Sequence, residues 1–294
     1  MIGRLLDPLA RGMMEGPAVD FVRPASEAAL VGLDSVSWRV FRNPVSLFVG
    51  GVTAVILELA EPRVRSGVWE HSSFRTDPVG RLRRTGMAAM VTVYGARRQA
   101  EAMIAGVRRG HEGVTGVTPG GEAYRADDPE LLRWVQATAV WGFATAYARF
   151  VQRLSAAERS AMFAEGVAAA RLYGVEGPPA SWAEWEALLA ATEGRLERSP
   201  IVEEFLTLME DAPAFPRALR PAQRLMVRGA VSIVPDRVRE RLALRGRLRP
   251  GEAAVLRALG AAAERVDLPS SPPSGALRRL GLPPGHLNPL LRQR

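Results

Sequence analysis

Signals that begin α-helices recur along this chain and limit its fold more than any other feature. Two Ser-x-x-Glu capping boxes, at 155–158 and 181–184, each precede apolar residues at helical spacing. Residues 127–130 place Pro in the first turn of another helix, and residues 252–264 are rich in alanine. Strand-like fragments are short by comparison. The sequence therefore predicts an all-α fold.

The breaks between these helical segments are too short to be interdomain linkers. We expect an N-terminal extension over residues 1–29 and one globular multi-helix domain over residues 30–267. Residues 268–294 are rich in Pro, Gly and Arg and predict an extended C-terminal tail packed over the surface.

The longest apolar stretch, residues 44–60, is interrupted only by Glu58 and carries two central glycines. It is at the lower limit of the length that spans a membrane, so we predict a buried core helix and no transmembrane segment. The first twenty residues mix charges with short apolar runs, unlike a signal peptide. These features predict a cytoplasmic protein.

The chain has a formal net charge of +8, and all 39 of its basic residues are arginine. The arginines are scattered rather than gathered into one basic arm, so we predict a solvated surface and no nucleic-acid partner. Peripheral contact with an anionic membrane is left open. The absence of cysteine excludes disulfides, thiolate catalysis, iron–sulfur clusters and thioether-linked haem.

Two groups of polar residues have spacings that suit chemistry. Arg81, Arg84 and Thr85 share one face of a helix, where guanidinium groups suit carboxylates or phosphates. Arg108 and His111 share another, which places a cation one turn from an imidazole that can bind iron. By spacing alone, a solvated basic face and a structural histidine are the more frequent interpretations.

Other classes of site have less support. The chain has no Gly-rich dinucleotide or phosphate motif, no zinc-protease motif and no nucleophile elbow. A metal site built from two histidines would need His71 and His111 together, completed by Glu70 or Glu112.

In combination, these motifs resemble the MpaB/rubber oxygenase family of all-helical proteins. The resemblance covers about residues 30–245, and the block from 67 to 116 is its most specific part. The matching segments are 50–54, 61–64, 67–72, 77–85, 94–95, 107–116, 124–129, 132–135, 154–155, 165 and 172–175.

This resemblance implies a b-type haem domain that uses O2 to cleave carbon–carbon double bonds in apolar, isoprenoid-like substrates. His111, three residues after Arg108, matches the proximal iron ligand of the rubber oxygenases. Arg81 and Thr85 match an Arg-x-x-x-Thr pair at the haem site. Arg84 belongs to the same predicted cofactor-binding group.

The chain departs from the family pattern at three positions. Arg84 replaces a lysine that can cap the iron in rubber oxygenases, and a guanidinium stays protonated and cannot ligate. We therefore expect an open or water-occupied distal position. Glu61 and Gln136 stand where relatives carry histidine. Glu61 and Glu70 are the predicted acid/base pair.

We therefore predict a haem b oxygenase that acts with O2 on an apolar substrate. Two alternatives remain at this stage: a non-catalytic haem protein, and a haem-free helical protein that binds a lipid or a partner.

Overall fold

The computed structural model describes residues 19–213, 215–283 and 285–287, which contain thirteen α-helices and one two-stranded sheet. This confirms the predicted all-α class. The helices are α1 (Val36–Val40), α2 (Pro44–Ala60), α3 (Pro62–His71), α4 (Pro78–Tyr94), α5 (Arg97–Glu112), α6 (Pro129–Phe150), α7 (Ala156–Leu172), α8 (Trp182–Glu193), α9 (Pro200–Asp211), α10 (Arg220–Ile233), α11 (Asp236–Arg241), α12 (Glu252–Glu264) and α13 (Pro272–Arg279).

Several helices begin with a polar residue followed by proline. The polar side chain accepts hydrogen bonds from backbone N–H groups of the first turn, and proline occupies a position whose N–H would have no partner in the helix. The residues that cap helices in this way are Asn43, Glu61, Asp77, Asp128 and Ser199. The predicted helix starts at Ser155 and Ser181 are also confirmed, since each side chain accepts a bond from a backbone N–H three residues later.

Helices α2 and α6 make the closest helix contact of the core. A Cβ atom added at Gly50 would lie 2.8 Å from the carbonyl oxygen of Gly142, and one added at Gly142 would lie 2.6 Å from that of Gly50. Only glycine permits this approach of two backbones. Ten of the seventeen residues of α2 are buried, which confirms the predicted core helix at 44–60.

No single described helix is long and apolar enough to cross a membrane. By length and composition alone, α2 and α3 pass that test together, although they are bent by 110° at the break between them.

The glycines of residues 113–121 predict only a break between helices, but the structure has a β-hairpin here. Strand β1 (Thr115–Val117) pairs antiparallel with β2 (Ala123–Arg125), and Gly116 lies opposite Tyr124. A Cβ atom at Gly116 would lie 2.4 Å from the Tyr124 hydroxyl, so glycine makes room for that buried ring.

The extended conformation predicted for residues 268–294 is wrong over Pro272–Arg279, which form α13. This helix is held by Arg279, which is 1% exposed. Its guanidinium donates to the backbone oxygens of Phe21 and Glu27, both at 2.9 Å, and of Tyr94 at 2.7 Å. The tail therefore packs into the core together with part of the predicted N-terminal extension. The rest of that extension, residues 1–18, lies outside the described residues.

Candidate functional site

The first turns of α4 contain no buried residue. Of its seventeen residues only Val91, Val93 and Tyr94 are buried, all at its C-terminal end. Helices α2 and α6 also have half-buried residues along one side each, including Val55 and Val135. An unfilled space between helices would leave such residues incompletely buried, although each helix is part of the packed domain.

Arg81 connects these helices. From α4, its guanidinium lies 5.6 Å from the ring centre of Phe74 and interacts electrostatically with the carboxyl group of Glu58 on α2. Burial lowers the pKa of Arg81, and Glu58 opposes that shift. Its Nε atom is buried without a hydrogen-bond partner. A buried donor without a partner is costly, so this nitrogen is suited to an acceptor supplied by a ligand.

Glu58 is the site residue that sequence reasoning missed. Burial raises its pKa to about 7, against the opposing effects of Arg81 and of the nearby Thr138 on α6, whose hydroxyl donates to the Val135 carbonyl oxygen at 2.8 Å. A carboxyl group with a pKa in this range can take up or release a proton near neutral pH. The one sequence signal was its position as the single charge in an apolar helix.

His111 lies in the last turn of α5 and is half-buried. Burial lowers its pKa and the positive charge of Arg81 adds to that effect, while Asp127 opposes it. The imidazole is therefore neutral at pH 7, the form that binds iron. Asp127 is itself fixed by Arg125, whose guanidinium donates to both of its oxygens at 2.9 and 2.8 Å.

The other predicted cofactor residues lie nearer the surface. Arg84 is exposed and donates to Ser73 Oγ at 2.5 Å, and it pairs with Asp77 at 3.4 Å. Thr85 is exposed as well, and its hydroxyl donates to the carbonyl oxygen of Arg81 at 2.9 Å. The structure therefore directs Arg84 away from Glu58, toward solvent.

Arg108 is exposed one turn before His111. Its guanidinium carbon lies 3.9 Å from the position of a Cβ atom at Gly174, which is an ordinary van der Waals distance. Arg108 therefore reaches the loop that follows α7. Gln136, the substituted family position on α6, has a buried Oε1 without a hydrogen-bond partner.

The two carboxylates predicted as an acid/base pair have other partners. Glu61 is 1% exposed and caps α3, since its Oε2 accepts from the N–H groups of Arg63 and Val64 and its Oε1 accepts from Arg63 Nε at 2.8 Å. Glu70 accepts a hydrogen bond of 3.0 Å from the Tyr124 hydroxyl. Their catalytic role stays a prediction, and these contacts argue for structural roles.

No group of three or more His, Asp or Glu side chains in the described part of the chain is arranged to hold a metal ion. Consistent with this, the His71 Nε2 atom lies 3.2 Å from the Tyr124 hydroxyl. His111 interacts electrostatically with Arg81 instead. The structure thus gives no support to the site with two histidines.

Electrostatic interactions link Glu58, Arg81 and His111, which come from three helices. A family model described as the ER-bound oxygenase mpaB/B′/rubber oxygenase catalytic domain matches residues 38–265, which include all three. No curated protein and no solved structure gives a significant match. Because the matched segment covers more than half of the chain, the chain belongs to the MpaB/rubber oxygenase family and carries that family's oxygenase catalytic domain.

Proposed function

We propose that this oxygenase depends on haem b and acts with O2 on an apolar small molecule. The observation that carries the proposal is the environment of Arg81: a buried cation with a partnerless donor, in the same electrostatic group as a neutral imidazole. Both groups suit haem b, because an imidazole would hold its iron and a guanidinium would bind one of its carboxylates.

The donor set of the site fits the cofactor. His111 would hold the iron, and Arg81 would bind a haem carboxylate through its free Nε donor. Arg108 supplies a second positive charge one turn from His111, nearer the surface. When bound, haem supplies the iron centre that binds and activates O2.

Glu58 replaces Glu61 and Glu70 as the proposed proton-handling residue. Its carboxyl can hold a proton at neutral pH because burial raises its pKa to about 7. The positive charge of Arg81 stabilises its ionised form. It can therefore deliver a proton to substrate or product, or accept one.

The half-buried residues around this group favour an apolar substrate. Val55 on α2 and Leu132, Val135 and Ala139 on α6 repeat at helical spacing, so each helix offers one apolar stripe near Glu58. An apolar molecule would complete the burial of these stripes, which is favourable by about 25 cal/mol per Å² of apolar surface removed from water.

The test begins with absorption spectra of the purified protein titrated with haem. We expect wild type to develop a Soret band that His111→Ala loses. His71→Ala is the matched control, because His71 is also near the end of a helix but contacts Tyr124 instead. A wild type that takes up no haem, or a Soret band unchanged in His111→Ala, would contradict the assignment.

Activity is then measured as O2 consumption with apolar alkenes. We expect haem-loaded wild type to consume O2 only when substrate is present. Glu58→Gln should keep the Soret band and lose most of that consumption. Full activity in Glu58→Gln would remove the proton-handling role and leave the haem assignment in place.

A further inference from the structure

Four of the six tryptophans of the chain form one cluster with Phe163. Trp185 on α8 stacks against two rings of α6, with centroids 5.7 Å from Trp134 and 5.6 Å from Trp141 and interplanar angles of 23° and 27°. Phe163 on α7 continues the stack, 6.4 Å from Trp185 and 6.1 Å from Trp182.

The inner end of this tryptophan cluster adjoins the candidate site. Trp134 and Trp141 lie four residues before and three residues after Thr138, so all three share one face of α6. The Thr138 hydroxyl lies close enough to the Glu58 carboxyl group to affect its pKa. The indole of Trp134 also donates to the carbonyl oxygen of Leu57 at 3.1 Å, directly before Glu58.

The outer end of the cluster is Trp182. It is half-buried, whereas Trp134, Trp141 and Trp185 are buried. Its Nε1 donates to the carboxylate of Glu186 at 2.9 Å, and the guanidinium of Arg159 lies 4.9 Å from its ring centre. A cation over the ring disfavours a positively charged indole radical, while the carboxylate is placed to accept the indole proton.

We propose that this tryptophan cluster is a one-electron path between the candidate site and the protein surface, ending at Trp182. The inference rests on the proposed haem function. Indole rings stacked with centroids 5.6–5.7 Å apart are suitable stations for electron transfer. Trp182 lies one turn before Trp185 on α8, and Phe163 packs against both rings. The path would return electrons to the site when an oxidant arrives there without substrate.

The step at Trp182 balances as follows. A hydroperoxide reduced in the candidate site to an alcohol and water takes up two electrons, and haem would supply the redox centre for that reduction. Trp182 would supply one of these electrons at a time, inward through Trp185. The Nε1 proton of Trp182 passes to the carboxylate of Glu186, leaving a neutral indole radical and a protonated Glu186. An external one-electron donor such as ascorbate then returns the electron at the surface, and Glu186 returns the proton.

The amino-acid composition indicates why such a path would protect the protein. Cysteine, the side chain that usually takes up oxidising equivalents most readily, is absent from the chain. Oxidising equivalents retained in the site would attack the residues that line it. A path ending at a partly accessible tryptophan moves that damage to a position where a reductant can repair it.

The test treats haem-loaded protein with hydrogen peroxide and no substrate, then follows three readouts. These are the tryptophan radical signal by electron paramagnetic resonance, the oxidised residues by mass spectrometry, and the rate of haem bleaching. In wild type we expect a neutral tryptophan radical and oxidation concentrated at Trp182. Trp182→Phe should lose most of the radical and bleach several-fold faster, whereas Trp69→Phe, outside the cluster, should match wild type.

Two further variants separate electron transfer from packing. Trp182→Tyr should restore a radical with a tyrosyl signature, since tyrosine is redox-active and phenylalanine is not. Glu186→Gln should convert the neutral tryptophan radical into a protonated one. Unchanged radical, oxidation pattern and bleaching in Trp182→Phe would overturn the path alone. Failure of wild type to show a Soret band would overturn the proposed function and the path with it.

Discussion

Helices α2 and α4 have the same length and the same type of start, and their surroundings differ sharply. Each has seventeen residues, a polar N-cap and proline in its first turn. Ten residues of α2 are buried, against three of α4. Helices that begin with the same sequence signals therefore have different roles. Helix α2 is the centre of the core, and α4 carries Arg81 of the candidate site.

The difference lies in what each sequence provides for packing. Helix α2 has the higher apolar content and a glycine at its crossing with α6, so other helices surround it. In α4 the apolar anchor is confined to its last turn, near Tyr94. Before that turn, Met87, Ala89 and Met90 are only partly buried against the core. Arg81 interacts electrostatically with Glu58, so the first turns of the helix can border a ligand.

The largest expected effect comes from one substitution made in both helices. Gly50→Ala would place a Cβ atom 2.8 Å from backbone atoms of α6, so we expect it to lower the free energy of unfolding by about 3 kcal/mol. Gly86→Ala in α4 has open space around its Cβ atom and should raise that free energy by about 0.5–1 kcal/mol. Denaturant unfolding of the apoprotein measures both, and changes of the same sign would remove the contrast.

The next prediction tests the buried C-terminal end of α4, where Arg279 donates to the Tyr94 carbonyl oxygen. Arg279→Met removes three hydrogen bonds to backbone carbonyls, one of them that of Tyr94, and should cost about 2 kcal/mol. Arg278→Met, whose Nη1 donates to the exposed Pro269 carbonyl, is the control and should change stability by less than about 0.5 kcal/mol. Hydrogen exchange should show faster opening near Tyr94 in the first variant only.

The interaction of Glu58 on α2 with Arg81 on α4 leads to a prediction about how stability depends on pH. Because burial raises the pKa of Glu58 from 4.5 to about 7, the folded state binds its proton more tightly than the unfolded state. This contribution to stability is complete below about pH 4.5 and is lost as pH rises to about 7. Relative to wild type, Glu58→Gln should therefore gain about 3 kcal/mol of stability across that window, since one pKa unit corresponds to about 1.4 kcal/mol. A difference independent of pH would refute the raised pKa.

The smallest expected effect distinguishes two arginines on α4. Arg81→Met should weaken haem binding by about tenfold, or 1.4 kcal/mol, because a partly buried donor to a haem carboxylate is lost. Arg84→Met should leave haem affinity unchanged, since Arg84 makes an exposed pair with Asp77. Haem titration followed by absorption measures both, and equal losses would mean that both guanidiniums reach the cofactor.

The sequence predicted those parts of the molecule that depend on neighbours along the chain. Capping boxes and proline marked the helix starts at Ser155, Ser181 and Asp128, because those hydrogen bonds are local. The hairpin and α13 were missed because their stability comes from distant packing, such as the contacts of Tyr124 and Arg279.

The site was predictable only in part, for the same reason. Motif order indicated His111 and Arg81, while the environment of Glu58 depends on Arg81 and Thr138, which come from two other helices. Glu61 carried an overlooked local signal, since its position before Pro62 matches the other caps that precede proline.

The contacts of Arg279 also set an order of events during synthesis of the chain. Its guanidinium donates a hydrogen bond to the backbone oxygen of Phe21, which lies 258 residues earlier in the chain. At a translation rate of roughly 5–20 residues per second, about 10–50 s pass between synthesis of the two residues. The segment around Phe21 therefore leaves the ribosome well before its partner exists. The hydrophobic cluster that includes Phe21, Tyr94 and Leu277 closes only after α13 has been made. Until then this segment is exposed to chaperones and proteases, although α2 and α6 are already able to pack together.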